Sequence, residues 1–323
     1  MKVLTHSILA AALLVAGGCI EQARSQVTNG IRIERDISYI PDGDSSQRLD
    51  LYLPERRSDR PLPLVVWIHG GGWLGGSKKE NPGAALTASG EYASASVEYR
   101  FSDKAIFPAQ IQDCQAAIRF LRANANKYNF DPDHIGVWGA SAGGHLASLL
   151  GTSGGADAFP KIGENRDRSD RVQVVIDLFG PTDFQAVKAQ VAADKAVKNI
   201  FNFEDMSSPY AKLFGARPGE RADLEKSASP ITFVSKDDPP FLIVHGTADA
   251  LVPYAQAAEF TDALKKAGVE VLLQTIPGGK HGGPEFMSAG AIRLHKNFFD
   301  KHLKDGDVKV ELLSPSDLAA PSR

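Results

Sequence analysis

The chain has 323 residues, of which 43% are hydrophobic and 23% are charged, and its formal net charge at pH 7 is −3. These values are ordinary for a globular protein, and they exclude a disordered or collagen-like chain. Acidic and basic residues are interspersed, without the basic stripe that would neutralise a nucleic-acid backbone, so we expect no nucleic-acid partner.

The N-terminus has the pattern of a secretory signal, which we assign to residues 1–25. Lys2 precedes an apolar run from Ile8 to Val15, and small residues follow. We therefore expect a protein that is exported. Two processing routes stay open: ordinary cleavage near Ala23-Arg24-Ser25, or lipidation of Cys19, because Ala16-Gly17-Gly18-Cys19 resembles a lipobox with alanine in place of the usual leucine. No later stretch approaches the roughly 20 apolar residues of a membrane span.

Strand patterns begin after a linker-like stretch that reaches about Asn29. Two alternating segments, Ile31–Tyr39 and Arg48–Leu53, are separated by a cluster of turn residues and predict an opening hairpin. Continuous apolar runs, which are typical of strands covered on both faces, follow at 64–68, 135–138, 172–179, 241–244 and 269–276.

Helical patterns lie between these runs, with apolar residues three and four apart, at 108–127, 142–150, 254–267 and 285–302. The alternation of strand and helix predicts an α/β fold with a mostly parallel sheet over residues 30–303. Two stretches break the alternation: residues 152–171, and a long insertion at 184–229 that contains the aromatic residues Phe201, Phe203, Tyr210 and Phe214. We expect residues 304–323 to form a loosely held tail.

Ligand sites in such sheets lie beyond the carboxyl ends of the strands, which directs attention to the residues that follow each apolar run. His69-Gly70-Gly71-Gly72-Trp73 follows the run at 64–68. Its glycines would present backbone N–H groups that hold an oxyanion, and we assign Gly71 and Gly72 to this role together with Ala142. A flexible glycine turn is the alternative. We expect His69 to fix this loop by hydrogen bonding rather than to act as a base.

Gly139-Ala140-Ser141-Ala142-Gly143 follows the run at 135–138 and opens a helical pattern. This is the context of the Gly-x-Ser-x-Gly nucleophile elbow, in which small residues allow a strained turn that exposes the serine oxygen. A glycine-rich helix cap is the alternative interpretation. The motif predicts Ser141 as a nucleophile.

An acid and a base follow the later strands. Asp249 ends the motif His245-Gly246-Thr247-Ala248-Asp249 after the run at 241–244, and His281 lies between glycine pairs after the run at 269–276. We assign His281 as the general base and Asp249 as the acid that orients it. Asp183, which also follows a strand, competes with Asp249, and we interpret it as a capping or loop-ordering residue.

The chain order serine, aspartate, histidine is that of the α/β-hydrolases. The motifs that begin at His69, Gly139 and His245 resemble those of the hormone-sensitive-lipase-like esterases and their bacterial feruloyl and acetyl esterase relatives, over about residues 33–303. The resemblance implies one α/β-hydrolase domain with a central eight-stranded sheet, and neither a metal nor an organic cofactor.

These patterns together predict a serine carboxylesterase that works through an acyl-enzyme, with acetyl or feruloyl esters of plant polysaccharide as candidate substrates. Three alternatives remain: an arylformamidase-like amide hydrolase, a dipeptidyl-peptidase-like hydrolase, and a non-catalytic binding module of the same fold. Export is evidence against the first alternative, the lack of a propeller-sized domain is evidence against the second, and the full set of catalytic residue types is evidence against the third.

Overall fold

The computed structural model describes residues 24–194, 205–304 and 306–318. Most of the predicted signal, including Cys19, lies outside the described residues, as do Phe201 and Phe203. The described strands run in chain order as follows: β1 Arg24–Thr28, β2 Ile31–Ser38, β3 Arg48–Pro54, β4 Leu62–Ile68, β5 Ala93–Val97, β6 Phe130–Ala140, β7 Val174–Leu178, β8 Phe241–Gly246 and β9 Val271–Ile276.

The strands form one sheet in the order β1-β2-β3-β5-β4-β6-β7-β8-β9. Strands β1, β2, β3 and β5 pair antiparallel, which includes the predicted hairpin of β2 and β3. All pairs from β5 through β4 and β6 to β9 are parallel. The prediction of an α/β fold with a mostly parallel sheet is therefore confirmed, and the carboxyl ends of β4, β6, β7, β8 and β9 meet at one edge.

Two strands differ from the sequence prediction. The stretch expected to be a linker contains β1, which pairs with β2 from Arg24 opposite Arg35 to Thr28 opposite Ile31, so the sheet has nine strands within the described residues and not the expected eight. Strand β5 has the sequence Ala-Ser-Ala-Ser-Val and is buried throughout. Its small polar residues break the apolar pattern, but Ser94 and Ser96 make hydrogen bonds to Thr87 and to the carbonyl of Glu80 that satisfy their hydroxyls.

Helices cover both faces of the sheet. Their bounds are α1 Ala84–Ala88, α2 Ala109–Ala123, α3 Ala125–Tyr128, α4 Ala142–Ser153, α5 Val187–Ala193, α6 Pro209–Phe214, α7 Ala222–Ala228, α8 Tyr254–Ala267, α9 Ala289–Leu303 and α10 Pro315–Leu318, with 3₁₀ turns at Pro230–Phe233 and Pro284–Met287. The four predicted helices are present, although the first divides at Asn124 and the last begins at Ala289.

The core lies in two layers that the sheet separates. One layer packs α2, α4 and α8 against strand residues such as Val66, Val137 and Ile243, and the other packs α9 against residues such as Trp67 and Ile176. Across the described part of the chain, no helix has both the length and the apolar character to cross a membrane.

The described part of the C-terminal stretch contacts the domain, in contrast to the loose tail that we expected. The backbone N–H of Leu313 donates to Oε1 of Gln274 at 2.7 Å, and Leu318 is buried beside α9. The polar-rich sequence of the C-terminal stretch does not predict such contacts, because they depend on Gln274 in β9, which lies 39 positions before Leu313.

Candidate active site

Ser141 lies at a sharp turn between β6 and α4. Its backbone has φ 55° and ψ −120°, a conformation that non-glycine residues rarely adopt and that is typical of strained functional turns. The turn leaves no space for a side chain at Gly143, since a Cβ there would overlap the carbonyl oxygen of Ile68, the last residue of β4. The two glycines of the motif therefore allow β6 and α4 to pack closely while the serine points into a cleft.

His281 bridges Ser141 and Asp249 by two short contacts. Its Nε2 lies 2.8 Å from Oγ of Ser141, and its Nδ1 lies 2.7 Å from Oδ2 of Asp249. The loops that carry the acid and the base are themselves joined, since the N–H of Ala248 donates to the carbonyl of Gly279 at 2.8 Å. The structure thus brings together three side chains that are separated by up to 140 positions in the sequence.

The carboxylate of Asp249 is buried and fully hydrogen-bonded. Oδ1 accepts from the backbone N–H groups of Leu251 at 2.8 Å and Val252 at 2.9 Å, which leaves Oδ2 for histidine. Burial by itself raises the pKa of Asp249, but hydrogen bonds from His245 and His281 outweigh it, and the pKa lies well below its ordinary value. Because an ionised carboxylate only accepts, Nδ1 of His281 donates to it and Nε2 is left to accept from the serine hydroxyl.

A second histidine, His245, contacts the same carboxylate oxygen, and we did not assign it a role from the sequence. Its Nε2 lies 3.2 Å from Oδ2 of Asp249. The signal was present in the motif, because His245 precedes Asp249 by four residues at the end of a strand, but spacing alone does not show that the chain turns back to bring the two side chains together.

The glycine loop after β4 forms one wall of the cleft. Gly71 and Gly72 have φ 109° and 61°, and both line the cavity that contains Ser141 and His281. Within the described residues, neither amide N–H donates a hydrogen bond to the protein. Ala142 is the first residue of α4, so its N–H has no acceptor within the helix. Three backbone donors are therefore available beside the serine.

His69 supports this loop from behind. It is fully buried, its Nδ1 lies 2.8 Å from the carbonyl of Gly70, and its Nε2 lies 2.9 Å from Oε1 of Glu98. The ring stacks on Tyr99 with a centroid distance of 4.6 Å. These contacts agree with the expected role in fixing the loop.

Trp73 and His145 connect the glycine loop to the insertion, a link that sequence reasoning missed. Trp73 Nε1 donates to Nδ1 of His145 at 3.2 Å, and Nε2 of His145 donates to the carbonyl of Ala228 at 2.7 Å. Burial lowers the pKa of His145 to about 4, so the ring is neutral at pH 7 and can accept at one nitrogen while it donates at the other. The insertion is therefore fastened to the wall of the cleft.

Asp183, the competitor for the acid role, lies away from the histidine. Its Oδ1 accepts from the backbone N–H groups of Gln185 at 2.9 Å and Ala186 at 3.1 Å. No contact between Asp183 and His281 is present in the described structure. The side chain orders the turn that leads from β7 into the insertion.

The cleft has a volume of about 510 Å³ and mostly apolar walls. From the insertion, Pro209 and Tyr210 line it, whereas Phe214 is buried against Phe107 and Phe184. Among the described aromatic residues of the insertion, only Tyr210 therefore lines the cleft. The described residues that line the cleft include one carboxylate, that of Glu80, which is exposed.

Among the described residues, no group of three or more His, Cys, Asp or Glu side chains is placed to hold a metal ion. The arrangement around Ser141 consists of a hydroxyl, an imidazole, a carboxylate and free backbone amides. These are the groups that acyl transfer through a covalent intermediate requires.

Comparison with known proteins places the chain in a family. Residues 49–264 match the BD-FAE family model, and the chain belongs to this family. The curated protein "Esterase LipC" of Mycobacterium tuberculosis is 30% identical over 244 residues, which cover 74% of this chain and 57% of the relative. The chain therefore spans a little more than half the length of that curated relative.

Solved structures show the same architecture. A "truncated form of carbohydrate esterase from gut microbiota" is 31% identical with a TM-score of 0.74, and the match covers 87% of this chain and all of that one. A "bifunctional GH43-CE" protein of Bacteroides eggerthii is 33% identical with a TM-score of 0.75 over 86% of this chain and 36% of that one.

Proposed function

We propose that the chain is a serine carboxylesterase with Ser141 as nucleophile, His281 as general base and Asp249 as the orienting acid. The observation that carries the proposal is the continuous hydrogen-bonded path from Ser141 Oγ through His281 to Asp249, with steps of 2.8 and 2.7 Å, in a cleft that the backbone of Gly71 and Gly72 also lines. The family and the esterase names of the relatives support an ester as the substrate class.

The proposed reaction has two stages that use the same groups. His281 accepts the serine proton at Nε2 as Oγ attacks the ester carbonyl, and the amides of Gly71, Gly72 and Ala142 hold the oxyanion. The same imidazole then gives its proton to the leaving alcohol, which leaves an acyl-serine. Water attacks this ester with His281 again as base, releasing the acid and restoring the serine. Each oxyanion donor contributes about 3 kcal/mol to lowering the barrier.

Labelling with a fluorophosphonate probe tests the nucleophile directly. We expect covalent modification at Ser141, and we expect Ser141→Ala to remove both labelling and ester turnover while the thermal unfolding midpoint stays close to that of the wild type. A protein that hydrolyses no ester and takes up no label would be a binding module of this fold, and the proposal would be wrong.

We propose carbohydrate esters with short or aromatic acyl groups as substrates, with acetyl and feruloyl esters of plant polysaccharide as the first candidates. The relative named as a carbohydrate esterase supports this choice, and so does the carboxylate of Glu80 in the cleft wall, because sugar hydroxyls donate to such oxygens. Assays of acetyl, butyryl, octanoyl and feruloyl esters side by side measure the acyl preference.

A pair of variants at Glu80 tests whether the cleft binds a sugar as the alcohol part of the ester. We expect Glu80→Ala to raise KM for an acetylated xylo-oligosaccharide while KM for nitrophenyl acetate stays unchanged, because only the sugar has hydroxyls to lose. Glu80→Gln keeps an acceptor oxygen and serves as the matched control. Equal changes of KM for both esters would contradict a sugar-binding role for Glu80.

We also propose that the protein is exported, from the signal pattern in residues 1–25. Cell fractionation with an activity assay tests export. The intact mass of the purified mature protein distinguishes the two processing routes, because lipidation at Cys19 adds acyl chains whereas cleavage near Ser25 does not. Activity confined to the cytoplasm would contradict the proposal.

A further inference from the structure

His245, a buried histidine next to Asp249, has no part in the mechanism proposed above. His245 is the fifth of six residues in β8 and is fully buried. Its Nε2 lies between two oxygens, the carbonyl of Val252 at 3.0 Å and Oδ2 of Asp249 at 3.2 Å. Both oxygens belong to the short loop that carries the acid.

The chemistry of these two partners fixes the tautomer of His245. A backbone carbonyl and an ionised carboxylate can only accept, so Nε2 of His245 carries a proton, which it donates to the carbonyl of Val252 while it faces Oδ2 of Asp249 at 3.2 Å. The other nitrogen, Nδ1, is buried and has no hydrogen-bond partner among the described residues. The ring therefore acts in the described structure as a donor at a single point, directed at the loop of Asp249.

We propose that His245 is a positioning residue, which holds Oδ2 of Asp249 in the orientation that His281 needs and takes up part of the charge of that oxygen. Oδ2 faces two imidazole N–H groups: Nδ1 of His281 makes a hydrogen bond at 2.7 Å, and Nε2 of His245 makes a longer charge contact at 3.2 Å. Without His245, the only contacts left to orient Oδ2 among the described residues would be the two backbone bonds at Oδ1 and His281 itself, the group whose position Oδ2 has to fix. The inference rests on the proposed esterase activity.

Other titratable groups around His245 have partners of their own or do not ionise at neutral pH. Asp177 on β7 interacts electrostatically with His245, but its oxygens accept from Ser148 Oγ and from the N–H of Gly180, both at 2.8 Å. Tyr254 packs edge-on against the ring with a centroid distance of 6.0 Å, and its hydroxyl pairs with Thr275 at 2.6 Å. Burial, and then the nearby charge of Asp249, raise the pKa of Tyr210 well above its ordinary value.

Two substitutions of His245 distinguish the effect of its N–H donor from the effect of the space that its ring fills. His245→Leu fills the space without a donor, and we expect kcat to fall about 10- to 100-fold at nearly constant KM, the range that corresponds to one charge-assisted hydrogen bond. His245→Gln offers an N–H donor near the position of Nε2 and should recover most of that loss. His295→Leu is the matched control, because His295 is also buried, has no hydrogen-bond partner in the described chain, and packs on Trp138.

Two further measurements distinguish positioning from a structural role. Removal of the donor leaves more negative charge on Oδ2, which favours protonated His281, so the acid limb of the kcat/KM profile of His245→Leu should move to higher pH by about half a unit. In the background of Asp249→Asn, His245→Leu should cost less than about twofold, because the carboxylate that it positions is already absent.

A kcat within twofold of the wild type for His245→Leu, or an equal loss in both backgrounds with an unmoved pH profile, would overturn the inference. Should His245→Leu fail to fold, failure of His245→Gln to keep activity above the level of Asp249→Asn would overturn it as well. Failure of the wild type to hydrolyse any ester would instead remove the proposed function, so the two failures are separable.

Discussion

Two loops at the same edge of the sheet each carry an aspartate, and they hold the two carboxylates differently. In the loop after β8, Asp249 gives one oxygen to backbone amides and the other to histidine side chains. In the loop after β7, Asp183 uses Oδ1 for two backbone amides of its own turn. Both residues follow a buried parallel strand, and both order a turn, but among the described contacts only the second oxygen of Asp249 meets a histidine.

The difference comes from where each loop is fastened. The loop of Asp249 is joined to the loop of His281 through the hydrogen bond from Ala248 to Gly279. The backbone of Asp183 is instead joined to Gln256 in α8, with its N–H at 2.8 Å from Oε1 and its carbonyl at 2.9 Å from Nε2. The function of a carboxylate at this edge is therefore decided by its neighbouring loop as much as by its own position.

Exchange of each carboxylate for an amide gives the largest predicted contrast. In Asp249→Asn, the remaining oxygen can keep both backbone hydrogen bonds, whereas the new NH₂ group cannot accept from His281 Nδ1. The imidazole then loses the tautomer that accepts the serine proton, and we expect kcat to fall about 10⁴-fold. Steady-state kinetics measure the effect, and circular dichroism checks the fold. A loss smaller than tenfold would remove the contrast between the two loops.

The sequence was sufficient to predict that Ser141, Asp249 and His281 meet at one edge of the sheet, because each follows a continuous apolar strand where the chain must turn. It was insufficient for contacts between loops, such as that of His245 with Asp249, since these depend on how far the chain folds back after the strand. Strand β5 was missed for a different reason: it is buried throughout but consists of alternating alanine and serine before Val97, a pattern that is not that of an apolar strand.

Loss of Gln256, which holds the loop of Asp183, should lower the stability of the fold and leave the chemistry unchanged. Gln256 is fully buried and accepts from the backbone N–H groups of Thr182 at 2.7 Å and Asp183 at 2.8 Å. Gln256→Leu leaves these amides without partners, and we expect the free energy of unfolding to fall by about 2 to 4 kcal/mol. Urea denaturation measures the loss. The kcat of the folded fraction should stay within about threefold of the wild type, and a larger fall would mean that the two loops are coupled.

The hydrogen bonds of Asp249 also predict a pH dependence. Its pKa in the folded chain lies well below the ordinary value of about 3.9, so the folded state favours the ionised form and the added stability is present above that value. As pH falls, the unfolded chain takes up the proton first, and stability is lost. We expect the advantage of the wild type over Asp249→Asn in free energy of unfolding to shrink by about 1 kcal/mol between pH 5 and pH 3. Parallel curves for the two proteins would contradict the hydrogen-bonded carboxylate.

The smallest effect should come from Asp183→Asn, the exact counterpart of the first substitution. Asparagine keeps the oxygen that accepts from Gln185 and Ala186, so kcat should stay within about threefold and stability within about 1 kcal/mol of the wild type. Asp183→Ala removes the acceptor and should cost about 1 kcal/mol of stability, again without a large change in kcat. Since the same chemical change is made at the same edge of the same sheet, a 10³-fold loss at Asp183 together with a mild effect at Asp249 would exchange their roles.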